Sequence, residues 1–162
     1  MSERRLFAGA QLRAIRTERR LKQAELAAAL AIGVGMMGCE HIRNLIAIDG
    51  CAVVAYADTN ESSRSNANRL VAEAASYSDY REMLANEQLD VVVIATPNHM
   101  HRSIFENVIE RDVHVLIEKP LGINVAECQT MIDVERQHQK PGRVVWVGLE
   151  NPVMAPTSRF IY

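Results

Sequence analysis

Cysteine is scarce in this chain and odd in number: Cys39, Cys51 and Cys128, with no C-x-x-C pair among them. That argues against a disulfide framework and for a reducing compartment, with the cytoplasm as the default. Long apolar runs are also missing. None reaches the roughly 18 residues that cross a bilayer, and LFAGA, near the basic start, is too short for the apolar region of a secretory signal. No membrane partner is expected. The chain lacks a Walker lysine, a serine in a nucleophile elbow and any internal repeat, which sets aside P-loop NTPases, α/β-hydrolase triads and solenoids. In HMH, His99 and His101 stand without further clustered Cys, Asp or Glu, so no metal site is expected. Aromatics are few at 5%, yet a hydrophobic fraction of 48% describes an ordinary globular protein.

The net charge of -2 is unevenly spread: residues 1–22 hold seven Arg and Lys against two Glu. Such a head can approach nucleic acid or another acidic surface, although a basic helix face is more commonly just solvated. Residues 11–30, QLRAIRTERRLKQAELAAAL, are rich in strong helix formers and free of Pro and Gly. A helical extension is expected over 1–27.

From 28 onward the texture alternates between apolar runs and amphipathic stretches. A strand is expected at 28–32, then a glycine turn, a helix over 36–48 and a buried strand at 51–57 ending at Asp58. A helix over 62–75, a short strand near Ser76 and Tyr77, and a helix over 79–86 follow. DVVVIATP carries a β-branched run bounded by Asp90 and Pro97, the mark of a strand covered on both faces. A helix over 98–110, a strand at 113–117, a helix over 124–139 and a strand at 143–149 complete the series. Strand and helix alternate six times, which predicts an α/β fold: a doubly wound, mostly parallel, six-stranded Rossmann sheet over 28–150. Residues 151–162 hold two prolines and no clear period, and read as an irregular tail. Alanine is a poor strand former, so the strand at 28–32 is expected because five later strands need a central partner.

IGVGMMG places Gly33, Gly35 and Gly38 at G-x-G-x-x-G between a strand and a helix. In that context Gly33 permits the tight turn, Gly35 lets backbone approach a pyrophosphate and Gly38 lets the helix pack on the sheet. The helix mouth offers N–H groups to the phosphates. Asp58 ends the second strand, where an acid hydrogen-bonds the ribose of NAD and repels a 2′-phosphate. Arg64 is close enough in sequence to weaken that preference, so NADP stays open. ATPNHMH follows the fourth strand and EKP the fifth, at carboxyl ends that share one crevice with the glycine turn. Lys119, between an apolar strand and a proline-fixed turn, suits polarising an oxygen or relaying its proton during hydride transfer.

Together, IGVGMMGCEHIRNL, AYAD, ATPNHMH, HVLIEKPL and VVWVGLE resemble the Gfo/Idh/MocA oxidoreductases over about 28–150. The resemblance implies an NAD(P)-dependent dehydrogenase acting on a sugar, an inositol or a related polyol. It implies cofactor contacts from Gly33, Gly35, Met36, Met37, Gly38, Asp58, Ala95, Thr96, Pro97, Asn98, His101, Glu118, Lys119 and Pro120, with Lys119 catalytic. It also implies a second α/β domain with a catalytic Asp and His. The sequence stops at Tyr162, so that domain is expected to be absent and the chain to turn over little by itself.

The head, QLRAIRTERRLKQAELAAAL, resembles the first two helices of an Xre-type helix-turn-helix, matched by Leu12, Arg13, Arg16, Leu21, Gln23, Glu25, Leu26 and Ala27. The alternative it raises is a DNA-binding or regulatory module. Where a recognition helix should begin, however, the chain reads AIGVGMMG, so specific DNA binding is not expected. Cys39 follows the glycine turn, where a helix N-terminus would lower a thiol's pKa; a packing role is the plainer expectation. A homo-oligomer is compatible with the sequence but not required by it.

Overall fold

The computed structural model describes residues 27–148. The irregular tail and the helical extension up to residue 26 lie outside the described residues, as does the Xre-like stretch except for its last four residues, Ala27 to Leu30.

Six strands form one sheet in the order β3-β2-β1-β4-β5-β6. They are β1 (Ala27–Ile32), β2 (Cys51–Ala57), β3 (Ala75–Tyr77), β4 (Val91–Ile94), β5 (His114–Ile117) and β6 (Val145–Val147). All five pairings are parallel. Parallel neighbours need crossovers, supplied by α1 (Met36–Leu45), α2 (Glu61–Asn68), α3 (Tyr80–Asn86), α4 (Asn98–Ile109) and α5 (Val125–Gln137). Three helix starts are set by side chains one residue ahead. Asn60, Asp79 and Asn124 accept from Ser63 N, Arg81 N and Glu127 N, the local signal that makes Asn and Asp good N-caps.

The alanine-rich segment is the central strand. It starts at Ala27, one residue earlier than expected, and pairs with β2 on one side and β4 on the other. Its alternation divides the core. Leu30 and Ile32 join Val92, Ile94, Val115 and Ile117 under Ile104, Phe105 and Val108 of α4. Ala29 and Ala31 face the other way, against Ile42 and Leu45 of α1. Burial of a large side chain such as Phe105 contributes about 1.5–3 kcal/mol, and such packing outweighs a propensity difference of roughly 1 kcal/mol at most.

One element differs clearly from expectation. The helix expected over 62–75 stops at Asn68, because Leu70 N and Val71 N both bond to Ala67 O, at 2.9 and 3.1 Å, and close the chain into turns. Leu70 and Val71 then pack on the sheet, which leaves Ala75 to Tyr77 extended to pair with the end of β2. Asn66 and Asn68, both weak helix formers, give that ending little resistance.

Candidate functional site

The turn after β1 is built by three glycines with three different constraints. Gly33 adopts φ +82°, a conformation most L side chains avoid, and an added Cβ would lie 2.7 Å from Ala95 O. At Gly38 a Cβ would meet Gly33 O at 1.9 Å, so α1 sits directly on the turn. Gly35 differs: nothing lies within 4 Å of its Cβ position. It is the N-cap of α1 and has no side chain to bond the helix's first N–H groups, and that first turn has no acidic residue. The mouth of α1 therefore offers free donors and a partial positive charge to an anion.

Asp58 closes the turn from β2. Its Oδ2 accepts from Val34 N at 2.9 Å and its Oδ1 from Asn60 N at 2.8 Å. Each oxygen keeps a second acceptor site. Arg64 donates through Nη1 to Asp58 O and Thr59 O, at 2.8 and 3.1 Å, which holds its guanidinium beside the same strand end.

A cavity of about 450 Å³ opens at the carboxyl edge of the sheet, within the usual range for a ligand site. Eight of the expected residues line it: Gly33, Gly35, Met36, Met37, Asp58, Ala95, Thr96 and Pro97. Thr96 Oγ1 is buried there with no hydrogen-bond partner among the described residues. A buried hydroxyl left unbonded is costly, and it fits a site completed by a polar ligand. The open face at Gly35 fits the same reading. A dinucleotide would find N–H donors at the α1 mouth, a carboxylate at Asp58 and an unbonded hydroxyl at Thr96.

Six expected residues stand outside those walls. Gly38 is packed beneath the turn. Asn98 is exposed at the start of α4, and Lys119 and Pro120 are exposed after β5. His101 and Glu118 are buried behind the site, at 0% and 7% exposure, and bond to protein groups rather than to the cavity. The cavity in turn has walls that sequence reading did not name: Thr59, Ser78, Tyr80, Met100 and Ile104. Ser78 and Tyr80 follow β3, so the carboxyl-end rule could have flagged them. Met100 and Ile104, four apart on α4, carried only an ordinary core signal.

Glu118 faces His41 of α1, which no motif had singled out. His41 Nε2 lies 2.8 Å from Glu118 Oε1, and Lys119 N donates to Glu118 Oε2 at 3.1 Å. The hydrogen bond from His41 holds the Glu118 carboxyl below its usual range, against the upward push of burial. A carboxyl lowered in the folded state stabilises the protein above its unfolded value, about 4.3, and that contribution is lost as pH falls through the folded value. Glu118→Gln is therefore expected to melt below the parent chain near pH 6, with the gap narrowing toward pH 3 in a melting series. A constant gap would remove the linkage.

Cys39 donates to Val34 O at 3.2 Å, and burial raises its thiol pKa, as expected of a packing residue. None of the three cysteines forms a disulfide among the described residues. No group of three His, Cys, Asp or Glu gathers among the described residues, and no described helix is long and apolar enough to cross a membrane.

Comparison with known proteins agrees with this geometry. A model of the oxidoreductase family with an NAD-binding Rossmann fold, Gfo/Idh/MocA, matches residues 28–149. The inositol 2-dehydrogenase of Salmonella typhimurium strain LT2 is 31% identical over 119 residues, 72% of this chain and 35% of that protein. A glycosyl hydrolase family 109 protein of Shewanella woodyi is 30% identical over 118 residues, 67% of this chain and 25% of its own. Among solved structures, myo-inositol dehydrogenase from Lactobacillus casei in complex with NAD(H) and myo-inositol superposes with a TM-score of 0.71 at 25% identity, over 78% of this chain and 38% of that one. The match thus spans about a third or less of the length of these relatives.

Proposed function

The chain belongs to the Gfo/Idh/MocA oxidoreductase family, and from that premise we propose that it is the cofactor-holding part of a dehydrogenase that moves hydride between a nicotinamide and an inositol or sugar-class polyol. The observation that carries this reading is the single cavity shared by the glycine turn, Asp58 and Ala95 to Pro97. NAD, when bound, supplies the hydride acceptor. The protein's own groups do the rest. The α1 mouth holds the diphosphate, with Gly35 leaving room for it. Asp58 accepts from the ribose hydroxyls through its remaining lone pairs, and its charge disfavours a 2′-phosphate, so NAD is preferred. Thr96 Oγ1 bonds the ligand, and Pro97 and Asn98 shape the approach to α4.

Lys119 is assigned the chemistry at the substrate oxygen: its ammonium polarises a carbonyl or relays an alcohol's proton. The polyol class comes from the relatives, an inositol dehydrogenase and a glycosyl hydrolase family 109 protein among them. About two-thirds of the inositol dehydrogenase's length lies outside the match, and little turnover is proposed for this chain by itself. A cytoplasmic setting, no specific nucleic-acid partner and compatibility with a homo-oligomer complete the reading.

Titration of the chain with NADH, followed by nicotinamide fluorescence, tests it. Saturable enhancement is expected, and Asp58→Asn should weaken it about tenfold, the equivalent of about 1.4 kcal/mol. A folded sample that shows no saturable change at millimolar NADH would end the proposal.

A further inference from the structure

The turn that carries Lys119 is gripped on both sides by buried histidines from two different helices. On one side His41 of α1, 8% exposed, holds Glu118 at 2.8 Å. On the other, the fully buried His101 of α4 reaches Pro120 O with Nδ1 at 3.0 Å, and its Nε2 reaches Thr96 O at 2.9 Å. Lys119 is the exposed residue between the two anchored neighbours. Each grip comes from a helix that begins at the cavity: α1 at the glycine turn, and α4 just after Ala95 to Pro97. Gly148, just after β6, also lies beside this carboxylate, since a Cβ there would make ordinary contact with Glu118 Oε1 at 3.4 Å.

We propose that His41 and His101 are positioning residues that fix the backbone of Lys119 relative to the cofactor cavity. The proposal rests on the role given to Lys119 above. It also reassigns His101 and Glu118, expected to touch the cofactor, to the support behind it. A lysine has four rotatable side-chain bonds and cannot be placed by its own packing when exposed, so its reach is set by where its Cα is held. Polar bonds at 118 and 120, from groups almost wholly removed from water, hold it there. Both oxygens facing His101 are carbonyls and a neutral imidazole carries one N–H, so the proposal places that hydrogen on Nδ1, toward Pro120 O.

The chain holds only three lysines, Lys22, Lys119 and Lys140, which permits a direct reading. Reductive ¹³C-methylation of the full chain gives one lysine methyl signal per site, and Lys119→Arg identifies the signal of interest. In the parent chain that signal is expected to stand apart from the other two and to move on NADH addition. His41→Ala and His101→Ala are each expected to abolish its separate position. Rescue then discriminates positioning from general stability. His41→Gln, which can reach Glu118, should restore the signal. His101→Asn places its amide nitrogen near the former Nδ1 and should restore it through Pro120, whereas His101→Gln mimics Nε2, bonds Thr96 instead and should not.

Folded alanine variants with an unchanged Lys119 signal would overturn the proposal, as would equal rescue by His101→Asn and His101→Gln. Should every histidine variant unfold, the parent chain decides by ¹⁵N relaxation. Backbone order at 118 and 119 must match that of β5, and order as low as that of Gly142 would refute the grip. Absence of any NADH response, with the methyl signal still displaced and sensitive to His41, would fault the functional reading and leave the positioning intact.

Discussion

Gly38→Ala is expected to cost the protein about 3 kcal/mol or more, the upper range for forcing atoms into a packed site. In a melting experiment that is a fall of roughly 2–4 °C per kcal/mol for a chain of this size. The added Cβ would stand 1.9 Å from Gly33 O, a backbone atom that cannot swing aside as a side-chain tip could. Relief requires lifting α1 from the turn, and the turn is also pinned by Val34 N on Asp58 and by Gly33 N on Ala57 O at 2.8 Å. NADH affinity should vanish with the geometry. Gly35→Ala makes the contrast. Nothing lies within 4 Å of its Cβ position, and the backbone there has φ -64°. Stability should change by no more than about 1 kcal/mol, the usual size of an N-cap effect, while NADH affinity falls at least about tenfold (about 1.4 kcal/mol) because the methyl occupies the approach to the diphosphate. If both variants melted like the parent chain, the tight contact at Gly38 would be disproved. If Gly35→Ala bound NADH as well as the parent chain, the diphosphate does not lie where the open face suggests.

The second large effect is expected in β1. Ala31→Leu raises intrinsic strand preference, yet it should destabilise by about 2–3 kcal/mol, the cost of overpacking a close-packed interior. Ala31 is 0% exposed on the face that meets α1, and α1 is already drawn close by Gly38. Ala28→Val is the control. Ala28 is half-buried, and its change should fall within about 0.5 kcal/mol, as for positions away from the packed core. Chemical denaturation of both variants would measure this. A stabilised Ala31→Leu would mean that propensity, not packing, governs the central strand.

Much of the architecture was legible in the residues, because the signals are local. The β-branched run before Pro97, the apolar CAVVAYA and the Asn and Asp caps each determine their own neighbourhood, and parallel strands then follow from helices between them. The helix ending at Asn68 was not legible, because its end depends on Leu70 and Val71 turning to the sheet. The glycine spacing located the turn, and the end of β2 located Asp58. Residue type could not say which motif members would face the cavity. His101 and Glu118 read as site residues in one dimension and stand behind the site in three.

By itself, the sequence determined the alternation of elements, the glycine turn ahead of α1 and the acid at the end of β2, since each depends on residues near one another in the chain. The tertiary structure supplies what local preference lacked for the strand expected at 28–32: its alanines are held by partners on both sides and by a helix brought close by one glycine. Likewise, only folding brought His41 to Glu118, 77 positions apart. Hydrogen bonds between distant residues leave no periodic trace in a sequence, and it is the sheet's register that places the two groups within reach.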